Sequence, residues 1–198
     1  MKKTALILDY GMGNIDSISN LLNKFKINHK LGNSPDELLA TDLLILPGVG
    51  AFGPAMRNIN QLGLRARIIQ RHLESRPILG ICLGFQILSR SSEEAKNIVG
   101  LSLFDLETRK IHPRPVIGWQ ETSVDLFPLR LNRYFFYNHS YGVFERDIHL
   151  NNLGNKQSEL CLYKINNTVG VQFHPEKSQN AGLEFFGELL EGFWSPDA

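Results

Sequence analysis

The hydrophobic residues in the first half of the chain follow two alternating patterns. Short apolar runs occupy residues 4–8, 42–46 and 77–81, and between them lie segments such as residues 15–25, where apolar side chains recur every three or four positions. A short continuous apolar run is typical of a strand buried on both faces, and the spacing of three and four is typical of an amphipathic helix. The alternation therefore predicts βαβ units on a parallel sheet.

The second half of the chain has a different pattern. From about residue 98 to residue 173, short aromatic and β-branched runs are separated by Asn, Gly and Pro, which predicts antiparallel strands and hairpins. The apolar spacing over residues 182–193 predicts a last helix that packs on the sheet. We expect an α/β fold with a central, mostly parallel sheet that is flanked by helices and extended by antiparallel strands in the second half.

Composition and charge narrow the class of protein. The 198 residues are 42% hydrophobic and no Pro-, Ser- or Gly-rich linker divides them, so we expect a single domain over residues 1–198. Lys and Arg number 21 against 20 Asp and Glu, so the net charge favours neither nucleic acid nor a membrane as partner, and a small ligand is expected. Asp9 interrupts the first apolar run before a secretory signal would be complete, and no stretch reaches the roughly 18 apolar residues of a membrane span. We therefore expect a cytoplasmic protein in which Cys82 and Cys161 form no disulfide.

The segment LGICLGFQIL contains a candidate nucleophile. It places Cys82 between Gly80 and Gly84, where the strand at 77–81 gives way to a helical pattern over residues 84–95. Open α/β sheets bind ligands at the carboxyl ends of their strands, and flanking glycines allow the sharp, strained turn of a nucleophile elbow. The positive end of the following helix and a nearby imidazole would both favour the thiolate. The alternative is that Cys82 is a small buried hydrophobic residue, as cysteine usually is.

A cysteine nucleophile needs a base, and His174 is the best placed histidine. It follows an apolar strand in VGVQFHPEKS, and Pro175 favours an extended conformation at the residue before it. Side chains two apart in an extended segment share a face, so Glu176 would orient the imidazole while its other ring nitrogen takes the Cys82 proton. A solvated strand end is the alternative for this motif alone. Four other histidines lie in polar or charged segments, where a surface position is the default: His29, His72, His112 and His149.

These motifs resemble those of a known enzyme family. GICLGFQIL together with VQFHPEKS resembles the nucleophile and His/Glu motifs of the class I, triad-type glutamine amidotransferases. LPGVGAFGPAM and DYGMGN make the chain similar to one branch, the glutaminase subunits of imidazole glycerol phosphate synthase, over nearly its whole length. The resemblance implies a single-domain, flavodoxin-like fold and hydrolysis of L-glutamine to glutamate and ammonia. Cys82, His174 and Glu176 would form the triad and pass through a glutamyl thioester.

The resemblance also implies roles for the surrounding residues. The backbone N–H groups of Leu83 and Val49 would form an oxyanion hole, and the glycines beside Val49 would let its peptide reorient. An ordinary strand-to-helix turn is the other interpretation of that loop, and an exposed helix position is the other interpretation of Gln86. The glutamine pocket would be lined by six positions: Gly48, Gly50, Gln86, Glu94, His139 and Ser140. We expect neither a cofactor nor a metal ion.

A partner enzyme is implied in the same way. In the family, a (β/α)8-barrel cyclase forms a heterodimer with the glutaminase and uses its ammonia to make imidazole glycerol phosphate and an aminoimidazole carboxamide ribotide in histidine biosynthesis. Trp119, Tyr137 and Lys177 match regions that face the barrel, although core packing is an equal alternative for Tyr137.

One segment departs from the family pattern. Residues 115–120 read Pro-Val-Ile-Gly-Trp-Gln, where the family usually has Pro-His-Met-Gly-Trp-Asn. A paralogous glutaminase that serves another synthase, such as one for amidino-sugar formation in surface polysaccharides, is therefore an alternative. Two other classes also remain: a γ-glutamyl hydrolase or cysteine peptidase on the same fold, and a non-catalytic binding module.

Overall fold

A central six-stranded sheet organises the protein. The structure, a computed structural model, describes residues 3–126, 129–145 and 159–194. Its strands are β1 (Thr4–Leu8), β2 (Asn28–Gly32), β3 (Leu43–Leu46), β4 (Ile78–Ile81), β5 (Ser91–Ser92), β6 (Leu106–Lys110), β7 (Val116–Leu126), β8 (Leu129–His139), β9 (Tyr141–Glu145), β10 (Leu162–Ile165) and β11 (Thr168–Val171). Its α-helices are α1 (Ile15–Lys24), α2 (Pro35–Ala40), α3 (Phe52–Gln61), α4 (Arg65–Leu73), α5 (Leu83–Leu88) and α6 (Gln179–Trp194).

The order of the strands places β4 inside the sheet. The order is β10-β11-β4-β3-β1-β2, and every pair is parallel except β10 with β11. The carboxyl ends of β3, β4 and β11 therefore lie side by side at one edge of the sheet. In an open parallel sheet this edge is where ligands bind.

Two hydrophobic cores cover the two faces of the sheet. Alternate residues of the parallel strands contribute to each: Ala5 and Ile7 belong to one core, and Leu6 and Leu8 belong to the other. Helices α1 and α6 pack in the first core, and α2 to α5 pack in the second. A strand whose two faces each pack in a hydrophobic core has no polar face, which explains the continuous apolar runs of the sequence.

The second half adds smaller antiparallel elements. Strands β6 and β9 pair antiparallel with β5 at their edge, and β7 pairs with β8 along eleven residues. The predicted α/β fold with added antiparallel strands is confirmed. In the part of the chain that the structure describes, no helix has the length and apolarity to cross a bilayer.

The helix after Cys82 is shorter than the sequence predicts. A helical pattern was expected over residues 84–95, but α5 ends at Leu88, and Ser89 adopts an extended conformation. The buried Ser89 hydroxyl donates to the Gln86 carbonyl at 2.5 Å, which satisfies a free carbonyl at the helix end. The chain then forms the short strand β5 and a 3-10 turn at Glu93–Ala95.

Candidate active site

Cys82 lies in a strained turn between β4 and α5. Its backbone has φ +53° and ψ −105°, and its N–H donates to the Val171 carbonyl at 2.7 Å. A Cβ on Gly84 would lie 2.0 Å from the Leu46 carbonyl oxygen, and one on Gly80 would lie 2.6 Å from the Gly84 carbonyl oxygen. Only glycine fits at either position, so the predicted sharp turn and its close backbone approach are both present.

His174 and Glu176 form a buried pair. Glu176 Oε1 lies 2.8 Å from His174 Nδ1, and each side chain is 2% exposed. The sequence predicts an extended segment here, but Pro175–Lys177 forms a 3-10 turn that begins after an extended His174. Proline at the first position of this turn fixes its φ. The two side chains therefore meet through a tight turn and not across one face of a strand.

Contacts with Cys82 and Glu176 control the charge of the His174 ring. Burial disfavours the imidazolium, but hydrogen bonding to Cys82 and to Glu176 outweighs it and raises the pKa of His174 to about 9. Nδ1 is engaged by Glu176, so Nε2 is the nitrogen left for Cys82. A protonated imidazole beside a cysteine sulfur stabilises the thiolate.

Two further groups contact the sulfur of Cys82. The Asn138 carbonyl oxygen lies 4.0 Å from Sγ, and the amide nitrogen Nε2 of Gln172 lies 3.6 Å from it. Gln172 is fully buried. No motif in the sequence separates Gln172 from other polar residues at strand ends, and only the pairing of β11 with β4 shows that it adjoins Cys82.

Cys82 opens into a cavity of about 240 Å³. The cavity contains both predicted oxyanion residues and all six predicted pocket residues. Its lining is Gly48, Val49, Gly50, Cys82, Leu83, Gln86, Glu94, Asn138, His139, Ser140 and Tyr141. Residues scattered over three segments of the sequence thus meet around one thiol.

The Gly48–Gly50 loop packs directly on the turn at Cys82. A Cβ on Gly48 would lie 2.0 Å from the Ile81 carbonyl oxygen and 2.4 Å from the Leu83 nitrogen. Gly50 has φ +145°, and the Val49 carbonyl accepts a hydrogen bond from the Gly13 N–H at 3.2 Å. The segment DYGMGN therefore contacts this loop and helps to hold it.

The polar residues of the cavity are held by the surrounding backbone. Gln86 is 5% exposed, and its side-chain amide donates to the Tyr141 carbonyl, so the alternative of an exposed helix position is wrong. Glu94 Oε2 accepts from the Phe52 N–H at 2.8 Å, at the start of α3. His139 Nε2 lies 2.6 Å from Glu159 Oε1, at an angle unfavourable for a hydrogen bond.

The residues predicted to face a partner differ in exposure. Trp119 is 44% exposed and Lys177 is half-buried with its Nζ 5.9 Å from the Phe136 ring centroid. Tyr137 is 6% exposed and bonds the Thr122 hydroxyl at 2.9 Å, which agrees with core packing. We define the hairpin patch as four side chains on one face of β7 and β8: Ile117, Trp119, Tyr134 and Phe136.

Cys161 and, among the described histidines, His29, His72 and His112 do not line the cavity. Both cysteines are free, and burial raises the pKa of Cys161. His72 is not a plain surface residue, because its Nδ1 contacts the Thr168 hydroxyl at 2.8 Å. His149 lies outside the described residues.

Comparison with known proteins connects this geometry to an enzyme family. The profile of the family described as glutamine amidotransferase class-I matches residues 6–187. The imidazole glycerol phosphate synthase subunit HisH of Methanothermobacter thermautotrophicus is 34% identical over 193 residues, covering 93% of this chain and 96% of that protein. The HisH subunits of Moorella thermoacetica and Thermus thermophilus are each 37% identical, and each match covers 93% of this chain and 94% of the relative.

Solved structures share the fold at lower identity. A glutamine amidotransferase crystal structure superposes with a TM-score of 0.74 at 16% identity, covering 94% of this chain and 97% of that one. The structure of PurLQS from Thermotoga maritima gives a TM-score of 0.70 at 18% identity and covers 97% and 99% of the two chains. These structures support the fold alone.

Proposed function

Because this chain belongs to the class-I glutamine amidotransferase family, we propose that it hydrolyses L-glutamine and supplies the ammonia to an imidazole glycerol phosphate synthase. The observation that carries the proposal is the buried His174–Glu176 pair beside Cys82, in a turn that opens into the cavity. A binding module has no need of a strained cysteine next to an imidazole that is protonated at neutral pH. The match of the family profile over residues 6–187 supports a single domain.

The first half of the reaction forms a thioester. The Cys82 thiolate attacks the side-chain amide carbon of glutamine, and the C=O electron pair moves onto oxygen. His174 Nε2 then gives its proton to the amide nitrogen as the C–N bond breaks, and ammonia leaves. Glu176 keeps Nδ1 protonated and holds the ring in this orientation, so it transfers no proton itself.

The second half releases glutamate. His174, now neutral, takes a proton from water, and the hydroxyl oxygen attacks the thioester carbon. The C–S bond breaks with its electron pair on sulfur, which restores the thiolate and the imidazolium. Both halves pass through an oxyanion, for which the Leu83 and Val49 N–H groups at the cavity wall are the proposed donors.

Glutamate release tests this assignment. Cys82→Ala should fold normally and lose all turnover, because no other group replaces the nucleophile, and His174→Ala should be nearly as damaging. Cys161→Ala is the matched control, since that thiol lies away from the cavity, and it should keep full activity. Turnover in Cys82→Ala would refute the mechanism. Cleavage of γ-glutamyl peptides in place of free glutamine would indicate a hydrolase or peptidase, and failure of a glutamine-derived electrophile to label Cys82 would indicate a binding module.

We further propose that the partner is a (β/α)8-barrel cyclase and that it docks on the hairpin patch. Ammonia is mostly protonated in water and then not nucleophilic, so it must reach a synthase without passing through solvent. The patch lies close to the triad: the Phe136 carbonyl accepts from the His174 N–H at 2.8 Å, and Trp119 packs edge-on against Phe136. Exposed aromatic side chains of this kind are common at the centres of interfaces.

The Gly48–Gly50 loop is the proposed element of coupling between the partners. The Val49 N–H belongs to the peptide between Gly48 and Val49, and the glycine at its start lets this peptide rotate at low cost. The next peptide is held through the Val49 carbonyl, which accepts from the Gly13 N–H at 3.2 Å. One oxyanion donor gained in this way lowers the barrier by about 2.7–4 kcal/mol, roughly a hundredfold to a thousandfold in rate. We therefore expect low activity for the isolated chain and strong stimulation by the partner with its ligand.

Mixing with candidate partners tests the coupling. The chain is combined with a histidine-pathway cyclase or with an amidino-sugar synthase, each with and without its ligand, and glutamate release is followed. We expect stimulation by the first. Stimulation by the second alone would assign the chain to the paralogous pathway, which the departure at residues 115–120 favours. Full activity of the isolated chain would refute the coupling.

A further inference from the structure

The side chain of Gln172 has a position that the triad mechanism does not explain. It is 0% exposed, and its Nε2 lies 3.6 Å from Cys82 Sγ. Backbone pairing fixes this position, because the Cys82 N–H donates to the carbonyl of Val171, the residue before Gln172. The register of β4 and β11 therefore brings the backbone of Gln172 next to Cys82.

Packing does not account for an amide at this position. In the described residues, Gln172 Oε1 is buried and has no hydrogen-bond partner. A buried unpaired carbonyl lowers the free energy of unfolding, and an apolar side chain of the same length would avoid that cost. Among the described residues, the side-chain N–H of Gln172 donates to the Cys82 sulfur.

The two groups that contact the Cys82 sulfur favour different protonation states of the thiol. The Asn138 carbonyl can only accept from a neutral thiol, whereas the Gln172 amide N–H donates and so favours negative sulfur. The titratable groups near Cys82 are Tyr10 and His174, whose ring contacts Glu176. Glu94, His139 and Tyr141 line the same cavity. Burial holds the pKa of Tyr10 far above its usual range, with a further rise from Cys82, so Tyr10 stays neutral.

We propose that Gln172 is a positioning residue that donates a hydrogen bond to the Cys82 thiolate. This inference rests on the proposed function, in which the contact acts twice in each turnover. It aims the thiolate at the amide carbon of glutamine, and it stabilises the negative charge that returns to sulfur when water attacks the thioester and the C–S bond breaks with its electron pair on sulfur. Hydrogen bonds to charged groups are stronger than those to neutral ones, so the contact strengthens as the charge appears.

The pH dependence of thiol alkylation tests the proposal. Iodoacetamide reacts with the thiolate, and the rate at Cys82 is followed by mass spectrometry from pH 5 to 10 in wild type, Gln172→Met and Gln172→Glu. Losing one hydrogen bond to a charged group should raise the apparent pKa of alkylation by about one unit in Gln172→Met, which lowers the rate about tenfold at pH values below both apparent pKa values. Gln172→Glu should raise it further, because a carboxylate repels the thiolate. The denaturation midpoint of Gln172→Met should not fall.

Controls separate this role from a structural one. Thr168→Val removes a buried hydroxyl from β11, the strand that ends just before Gln172, where it contacts His72, and its alkylation profile should match wild type. Unchanged profiles in folded Gln172→Met or Gln172→Glu would overturn the proposal, even if wild type hydrolyses glutamine. If Gln172→Met or Gln172→Glu shifts the alkylation profile but wild type releases no glutamate, the contact with the thiolate is supported and the proposed function is refuted.

Discussion

Replacing Glu176 by glutamine changes the charge beside His174 with little change in shape. In wild type the carboxylate Oε1 lies 2.8 Å from Nδ1 in a site that water does not reach. A glutamine carbonyl can accept the same proton, but a hydrogen bond between charged groups contributes about 1.5–3 kcal/mol and a neutral one about 0.5–1.5 kcal/mol. The variant should therefore lose about 1–1.5 kcal/mol of stabilisation of the imidazolium, or about one pKa unit.

This loss should appear in the pH profile of turnover. The pKa of His174 is raised to about 9, so the proton for the leaving ammonia is present at neutral pH and activity should fall as the pH rises through about 9. In Glu176→Gln this alkaline limb should move to about pH 8, and turnover at pH 10, where both imidazoles are mostly deprotonated, should be about tenfold below that of wild type. His174→Ala should lose far more, because it removes the group that transfers the proton.

The thermal stability of the protein should also change with pH as His174 titrates. A histidine whose folded pKa exceeds its unfolded value of about 6.5 stabilises the fold fully below that pH. The contribution is then lost as the pH rises through about 9. Wild type should therefore lose more of its thermal stability between pH 7 and pH 10 than Glu176→Gln does.

Glutamate release at saturating glutamine, measured from pH 6 to 10 with the partner present, checks the turnover profile. Glu184→Gln is the control, because that carboxylate pairs with Arg133 on the surface, and its profile should match wild type. An alkaline limb that does not move in Glu176→Gln, or turnover as low as that of His174→Ala, would refute the orienting role of Glu176.

Two further predictions follow from packing and exposure. Gly48→Ala should lower the free energy of unfolding by more than about 3 kcal/mol in urea titration, because its Cβ would lie 2.0 Å from a backbone oxygen. Gly192→Ala, at a position in α6 with open space around it, should raise that free energy by about 0.5–1 kcal/mol. Similar losses in both variants would contradict the close approach at Gly48. Trp119→Ala should weaken association with the cyclase by about 2 kcal/mol or more in calorimetry. Leu73→Ala, which shortens an exposed side chain at the end of α4, should leave the affinity unchanged. If Trp119→Ala binds the cyclase as tightly as wild type does, the interface lies elsewhere.

Three of the parallel strands, β1, β3 and β4, and the nucleophile turn could be predicted from sequence because local patterns determine them. Strand β2 was not predicted, and β11, which pairs parallel with β4, lies in the stretch that the sequence predicts to be antiparallel. Residues 5–8, 43–46 and 78–81 are apolar, and the strands that they form contribute side chains to both cores. The glycines around Cys82 are a local signal as well, since each is required by a contact within the same turn or with the neighbouring strand β3.

Features that depend on distant backbone could not be predicted. Arg71 is fully buried, with its guanidinium donating to the carbonyls of Pro77, Thr41 and Asp42 at 2.6–3.1 Å. Hydropathy places arginine on surfaces, and only the fold brings these carbonyls together. The contact of Gln172 with Cys82 depends in the same way on strands far apart in sequence.

The site is built at a cost in stability that the two cores must offset. Cys82 has a backbone conformation that side chains rarely adopt, and within the described residues Gln172 Oε1 and Glu176 Oε2 are buried without hydrogen-bond partners. Each feature of this kind costs about 1–3 kcal/mol. All three lie at the carboxyl ends of β4 and β11, the strands held between both cores, where surrounding structure cannot relax to relieve them. Rigid packing at the centre of the sheet is thus what allows a thiol, an imidazole, an unpaired amide oxygen and an unpaired carboxylate oxygen to stay in one small volume, and the same rigidity keeps the thiol aimed into the cavity.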